Sequence, residues 1–209
     1  MAFPTPSDTT SHRGRTFRPQ PLTRAELDAL LDAAARHSAS GVRLRALVAV
    51  MSGAGLRLAE TLALMPADVN PTDGTIRVNL GKGSKTRTVG ITGRSLELLE
   101  AWLTHRKTLA LNGRHLVFAT YSRNGSFGTP MSPQQVRAAL TRLAVKAGID
   151  KRVHPHGLRH SLAYEMARRG IPLQVIQAQL GHASLDGTSH YIGRLMPKDV
   201  VDVMRDLDW

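Results

Sequence analysis

Thr75-Ile76-Arg77-Val78-Asn79-Leu80 alternates polar and apolar side chains, Gly81-Lys82-Gly83-Ser84 turns the chain, and Thr86-Arg87-Thr88-Val89-Gly90-Ile91 brings it back. Period-two alternation on both sides of a glycine-rich turn predicts a β-hairpin, here with a cationic tip. Asn70-Pro71-Thr72-Asp73-Gly74 reads as the turn that leads into it. This is the one convincing β signal in 209 residues. The rest of the pattern is helical, so the expected fold is mainly α with a small antiparallel β-sheet (α+β).

Upstream, Thr23 followed three residues later by Glu26 is a capping box that opens a helix through Ala35. Leu44, Leu47, Val48 and Met51 fall on one helical face before the break at Gly53-Ala54-Gly55. A short third helix is expected from Leu56 to Leu64. Downstream, one helix carries Leu96, Leu99, Trp102 and Leu103. A second opens at Ser132 with Gln135 three later and carries Val136, Leu140, Leu143 and Ala147. A third carries Leu158, Leu162 and Met166 to Gly170, and a fourth runs from Pro172 to Leu180 and ends at Gly181. After Pro197, the residues Val200, Val203, Met204 and Leu207 give a last amphipathic helix over 197–207. Residues 1–21, rich in Pro, Ser, Thr and Arg, read as a flexible basic arm, and 22–209 as one domain.

Composition narrows the function classes. Hydrophobic residues make up 42% and charged residues 21%, an ordinary globular balance. The net charge of +12 repels itself unless a polyanion is the usual neighbour, with nucleic acid first and an anionic membrane surface second. The absence of cysteine excludes disulfides, thiolate zinc sites and cysteine nucleophiles. No apolar run approaches the roughly 20 residues that span a bilayer. Met1 to Asp8 also lacks a secretory apolar stretch, so a cytoplasmic protein is expected.

Five short stretches can carry chemistry. In Gly55-Leu56-Arg57-Leu58-Ala59-Glu60 the guanidinium of Arg57 suits two phosphate oxygens, and Glu60 one turn on can orient it. A surface ion pair fits the same spacing. Lys82, at the hairpin tip, can reach a leaving oxygen as a general acid or stand in solvent. In His154-Pro155-His156-Gly157-Leu158-Arg159-His160, His156 and Arg159 share a face at a helix start, where the helix dipole also favours an anion. His154 and His160 suit capping or packing, and no acid or cysteine stands nearby to complete a metal shell. His182 follows the glycine that ends a helix, and Tyr191, one of three tyrosines, lies nine residues further on. A tyrosine fills a core more often than it attacks a substrate.

The order and spacing of these stretches resemble the tyrosine recombinases, the phage integrase and Xer-like family of site-specific DNA recombinases. The likeness runs over Gly-Leu-Arg-x-x-Glu, the Gly-Lys-Gly hairpin, His-x-Leu-Arg-His, Leu-Gly-His and the final tyrosine, from about residue 22 to 205. It implies that family's catalytic-domain fold. By the resemblance, Arg57 and Arg159 neutralise the non-bridging oxygens of the scissile phosphate, and His156 and His182 add hydrogen bonds. Lys82 protonates the departing 5′ oxygen, and Tyr191 attacks phosphorus to leave a 3′-phosphotyrosyl link. Glu60 and His160 take supporting roles, and Lys85 and Arg87 are expected on the DNA. No metal, ATP or other cofactor is implied. The implied partners are double-stranded DNA and further copies of the chain in a tetrameric synapse at the nucleoid; the helix 197–207 either docks on a neighbouring copy or packs on its own domain.

Many members of that family place a helical DNA-clamping domain before the catalytic one. Here about 20 residues precede it, so a catalytic fragment or a minimal form without that core-binding domain is expected. Gly187-Thr188 also departs from the usual segment before the nucleophile. Three other readings compete: a topoisomerase-like relaxing activity, a DNA-binding protein that no longer cuts, and a histidine-metal phosphodiesterase.

Overall fold

The computed structural model describes residues 20–79, 86–122 and 126–181. Within these lie helices α1 (Arg24–Ala33), α2 (Ala39–Gly53), α3 (Leu58–Leu62), α4 (Gly93–Thr108), α5 (Pro133–Lys146), α6 (Pro155–Arg168) and α7 (Leu173–Leu180). The strands are β1 (Val69–Asn70), β2 (Thr75–Val78) and β3 (Arg87–Gly90). The basic arm up to residue 19 and the helix expected at 197–207 fall outside the described residues.

Helix starts follow the capping chemistry. Thr23 Oγ1 accepts from the Glu26 N–H at 3.2 Å while Glu26 accepts from the Thr23 N–H at 2.7 Å. Ser132 and Gln135 do the same for α5, at 3.1 and 2.9 Å. Two helix limits are tighter than the pattern predicts. Helix α1 ends at Ala33 because Ala34 turns extended (φ −78°, ψ 131°), while Arg45 takes the Leu31 carbonyl at 2.6 Å. Helix α3 starts only at Leu58, because Arg57 is itself the extended residue before the first turn (φ −67°, ψ 154°).

Helix α2 is the centre of the molecule. Ala46 through Gly53 are all buried, so it is apolar on every side and accepts neighbours all round, among them α4 and α6. Leu30, Leu47, Met51, Ile76, Leu99, Trp102 and Leu140 lose essentially all solvent exposure in one continuous core. The long connection after α4 is fastened by that helix. Trp102 Nε1 donates to the Val117 carbonyl at 2.7 Å, and the buried Arg106 donates to the carbonyls of Asn112, His115 and Leu116. These contacts supply partners that the irregular backbone cannot give itself.

The hairpin pairs in the expected antiparallel sense, with Ile76 opposite Val89 and Val78 opposite Arg87. Ile76, Val78 and Val89 face the core. A third strand, β1, joins by pairing Val69 with Ile76. Two residues are too few to show a period, so the pattern held no sign of it. Helix α7 closes the edge beyond β3. Gln179 accepts from the Gly90 N–H at 3.1 Å and donates to the carbonyls of Gly90 (2.7 Å) and Ala54 (2.9 Å). One amide thus ties α7 to the sheet and to the end of α2.

Gly55 makes the sharp exit from α2 possible. Its φ of +71° is left-handed, and a Cβ there would stand 2.8 Å from a Leu180 methyl and 3.0 Å from one of Leu162. Gly55→Ala is therefore expected to destabilise the protein by about 1–3 kcal/mol through backbone strain and overpacking. Chemical denaturation of the two proteins checks this, and an unchanged midpoint would show that the turn tolerates a side chain.

Candidate active site

Three chain segments meet at the carboxyl end of α7. The exit from α2 places Arg57 at the head of α3, α6 carries Arg159, and α7 ends at Gly181 in the left-handed conformation (φ 62°, ψ 52°). Arg159 is 1% exposed. Its Nη1 donates to the Gly55 carbonyl at 2.5 Å and its Nη2 to the Leu180 carbonyl. Arg57 Nη2 donates to the neighbouring Gly181 carbonyl at 3.2 Å. Two cations thus share the terminal carbonyls of one helix, where unpaired acceptors and the negative end of the dipole favour positive charge. Unlike Arg159, Arg57 keeps 44% of its side chain exposed and faces outward.

Glu60 organises the exposed arginine. Its carboxylate accepts from the Arg57 backbone N–H at 2.8 Å and from Arg57 Nη1 at 2.9 Å. It also accepts both ends of the Arg87 guanidinium, at 3.0 and 2.8 Å. Burial pushes this carboxyl up, but the hydrogen bonds from Arg87 and Arg57 and the charge of Arg87 outweigh it and hold it at about 2.

Helix α6 begins with Pro155 at its first position, and His154 caps it by accepting the Gly157 N–H on Nδ1 at 3.1 Å. The capping role foreseen for His154 is the one observed. His156 follows, half-buried, one turn before Arg159 and edge-on to His160 at a ring separation of 4.0 Å. Burial, then the neighbouring His154, Arg159 and Arg57, hold His156 below the ordinary histidine range. Among the described residues, no three histidine or acidic side chains come together as a metal-binding group.

The structure therefore brings together Arg57, Glu60, His156, Arg159 and His160. Lys82, Lys85, His182 and Tyr191 lie outside the described residues. Arg87, expected on the DNA, stands against Glu60 with 14% of its side chain exposed. Two features of the site had no signal in the side-chain pattern: the carbonyl acceptors of α7 and the Gln179 clamp. The glycine stop at Gly181 marked where α7 ends, but not which cations its carbonyls would hold.

The mainly helical domain with a three-stranded antiparallel sheet has the fold of solved tyrosine recombinase and integrase catalytic domains. The phage integrase family matches residues 20–196, and the chain belongs to that family. It is 38% identical over 182 residues to the tyrosine recombinase XerD of Xanthomonas axonopodis pv. citri, covering 83% of this chain and 58% of that protein. The chain spans about half the length of the curated relatives it matches. Among solved structures it resembles the XerA recombinase (TM-score 0.78, 28% identity, 98% of this chain and 68% of that one). It also resembles the XerH recombinase in a post-cleavage complex with its palindromic difH substrate (TM-score 0.71, 25% identity, 90% of this chain and 54% of that one).

The Glu60 carboxyl gives a pH test. Its pKa is lowered from 4.5 to about 2, so its ionised form stabilises the fold fully above about pH 5 and is lost as the pH falls toward 2. The shift corresponds to on the order of 3 kcal/mol, of which about 2 kcal/mol is gone by pH 3. Glu60→Gln removes the titration. Urea unfolding at pH 6 and pH 3 should show wild type more stable at pH 6 and most of that gap closed at pH 3. A gap independent of pH would mean that the carboxylate charge is not what holds the arginines.

Proposed function

We propose that this chain breaks and rejoins DNA strands at specific sites by transesterification on Tyr191. The observation that carries the reading is the pair of guanidiniums, Arg57 and Arg159, anchored by the α7 carbonyls with His156 one turn before Arg159. Membership of the phage integrase family supports it, as does the likeness to a recombinase captured on its DNA after cleavage.

A phosphodiester is anionic and repels an anionic nucleophile until cations cover its charge. Arg57 and Arg159 bind the two non-bridging oxygens and become more effective as charge grows there in the transition state. The hydroxyl of Tyr191 attacks phosphorus; its proton passes to a neutral histidine, with His156 and His182 the two candidates. The bond to the 5′ oxygen breaks, Lys82 protonates that oxygen, and a 3′-phosphotyrosyl ester remains. Attack by a 5′ hydroxyl reverses these steps and rejoins a strand. The phosphotyrosyl ester keeps the energy of the broken bond, so rejoining needs no cofactor. Double-stranded DNA at the nucleoid is the partner. Four copies form the synapse, with the segment 197–207 of each docking on its neighbour, and Lys85 contacts the backbone.

Negatively supercoiled plasmid incubated in EDTA without ATP tests the chemistry. Wild type should relax it and, after denaturation, leave protein covalently attached to DNA. Tyr191→Phe should abolish both, and Arg159→Lys should slow adduct formation by a factor on the order of 100 to 1000. Adducts that persist in Tyr191→Phe would move the nucleophile elsewhere. DNA binding without either product in wild type would favour a protein that no longer cuts. Relaxation without exchange between two sites would favour the topoisomerase-like activity.

A further inference from the structure

Arg87 reads from the sequence as one more cation for DNA, but its surroundings give it another task. We infer that Arg87 is a positioning residue, a fork that fixes the carboxylate of Glu60 so that Glu60 holds Arg57 in place without consuming it. The inference rests on the reading of Arg57 as a phosphate ligand.

The geometry divides Glu60 between two partners. Arg87 donates to both oxygens, 3.0 Å to Oε1 and 2.8 Å to Oε2, and thereby fixes the carboxylate plane. Arg57 takes the remaining positions: its Nη1 reaches Oε1 at 2.9 Å and its backbone N–H reaches Oε2 at 2.8 Å. Glu60 therefore meets only one prong of the Arg57 guanidinium. Without Arg87, a carboxylate with both oxygens open and a full negative charge can turn onto Arg57 in the two-pronged pairing that guanidiniums favour. That pairing occupies the donors a phosphate needs and cancels the charge that attracts it. Sharing one carboxylate between two guanidiniums leaves a net positive charge at the exposed one.

Arg87 also touches the other anchor of Arg57. A Cβ built on Gly181 would stand 2.5 Å from Arg87 Nε and 2.7 Å from its Cζ, so the guanidinium packs on the backbone whose carbonyl accepts from Arg57 Nη2. The strand that carries Arg87 is itself held, by Val78 on one side and through the Gln179 clamp at Gly90 on the other. Arg87 thus joins the sheet, Glu60 and the α7 terminus into one support for Arg57.

Three measurements on Arg87→Gln and Arg87→Lys test this. The first is nitrogen NMR of the arginine side chains, with the Arg57 signals assigned by their loss in Arg57→Lys. A pinned guanidinium should give resolved Nη signals in wild type that coalesce in both variants, since lysine restores charge but not the fork. The second is the salt dependence of binding to a fluorescent 20-base-pair duplex. A residue that acts through Arg57 lowers the slope by about one in Arg87→Gln but adds nothing in an Arg57→Gln background, whereas a separate phosphate contact lowers it by about one in either background. The third is adduct formation on supercoiled plasmid, expected to fall about 10- to 100-fold in both variants. Unchanged Arg57 signals, or a slope that falls by a further one when Arg57 is already replaced, would overturn the inference. If wild type forms no adduct, the proposed chemistry fails, while the first two measurements still decide the role of Arg87. Should Arg87→Gln not fold, as judged by its melting curve, Arg87→Lys carries the same comparisons.

Discussion

The site depends on the last two carbonyls of α7, which hold two guanidiniums side by side. Like charges at that distance repel, and a chain with net charge +12 has no general surplus of anions to separate them. Carbonyl oxygens at a helix end solve this without neutralising either cation, because they are strong acceptors that carry only partial charge. Leu180 and Gly181 supply them to Arg159 and Arg57. The left-handed Gly181 ends the helix at that point and leaves these carbonyls to face the arginines. The rest of the fold serves to bring α3, α6 and α7 to this place. The all-round apolar α2 packs α6 on one side, and its glycine exit delivers Arg57 from the other.

The two arginines are supported differently, and the difference suits different tasks. Arg159 is buried, with backbone carbonyls at both ends of its guanidinium, so its position is set by main chain that cannot reorient. Arg57 is exposed and held by the Gly181 carbonyl and by the carboxylate of Glu60, which Arg87 and the Arg57 backbone N–H hold in turn. The buried guanidinium is fixed by main chain, whereas the exposed one is open to solvent.

Much of this was legible in the residues and some was not, for identifiable reasons. Local chemistry was plain: the capping boxes at Thr23 and Ser132, the glycine stops at Gly53 and Gly181, the hairpin alternation and the Arg57–Glu60 spacing all act within a few residues. His156 and Arg159 share a helix face, so their convergence also followed from spacing. What escaped notice were contacts between distant segments and contacts made by backbone. Glu60 meets Arg87 across 27 positions and Arg57 meets the Gly181 carbonyl across 124, with no periodicity linking the partners. A carbonyl acceptor leaves no mark in residue identity. Arg87 was placed on DNA because a basic hairpin next to a glycine-rich tip resembles a groove contact, and only the fold shows the buried acid facing it. The strand β1 was too short to declare itself.

The described residues of the site carry a net positive charge. Arg57, Arg87 and Arg159 contribute +3 and Glu60, held ionised far below neutral pH, contributes −1, leaving +2. A phosphodiester carries one negative charge, and attack by a phenolate-like oxygen raises this to two at the transition state. A net positive field at the described residues favours an anion whose negative charge grows as it reacts. Burial and the neighbouring His154, Arg159 and Arg57 lower the pKa of His156, because a protonated imidazole there would add repulsion to the arginines. Glu60 therefore does more than brace Arg57: it cancels one of three cations and still leaves the described residues with a net positive charge.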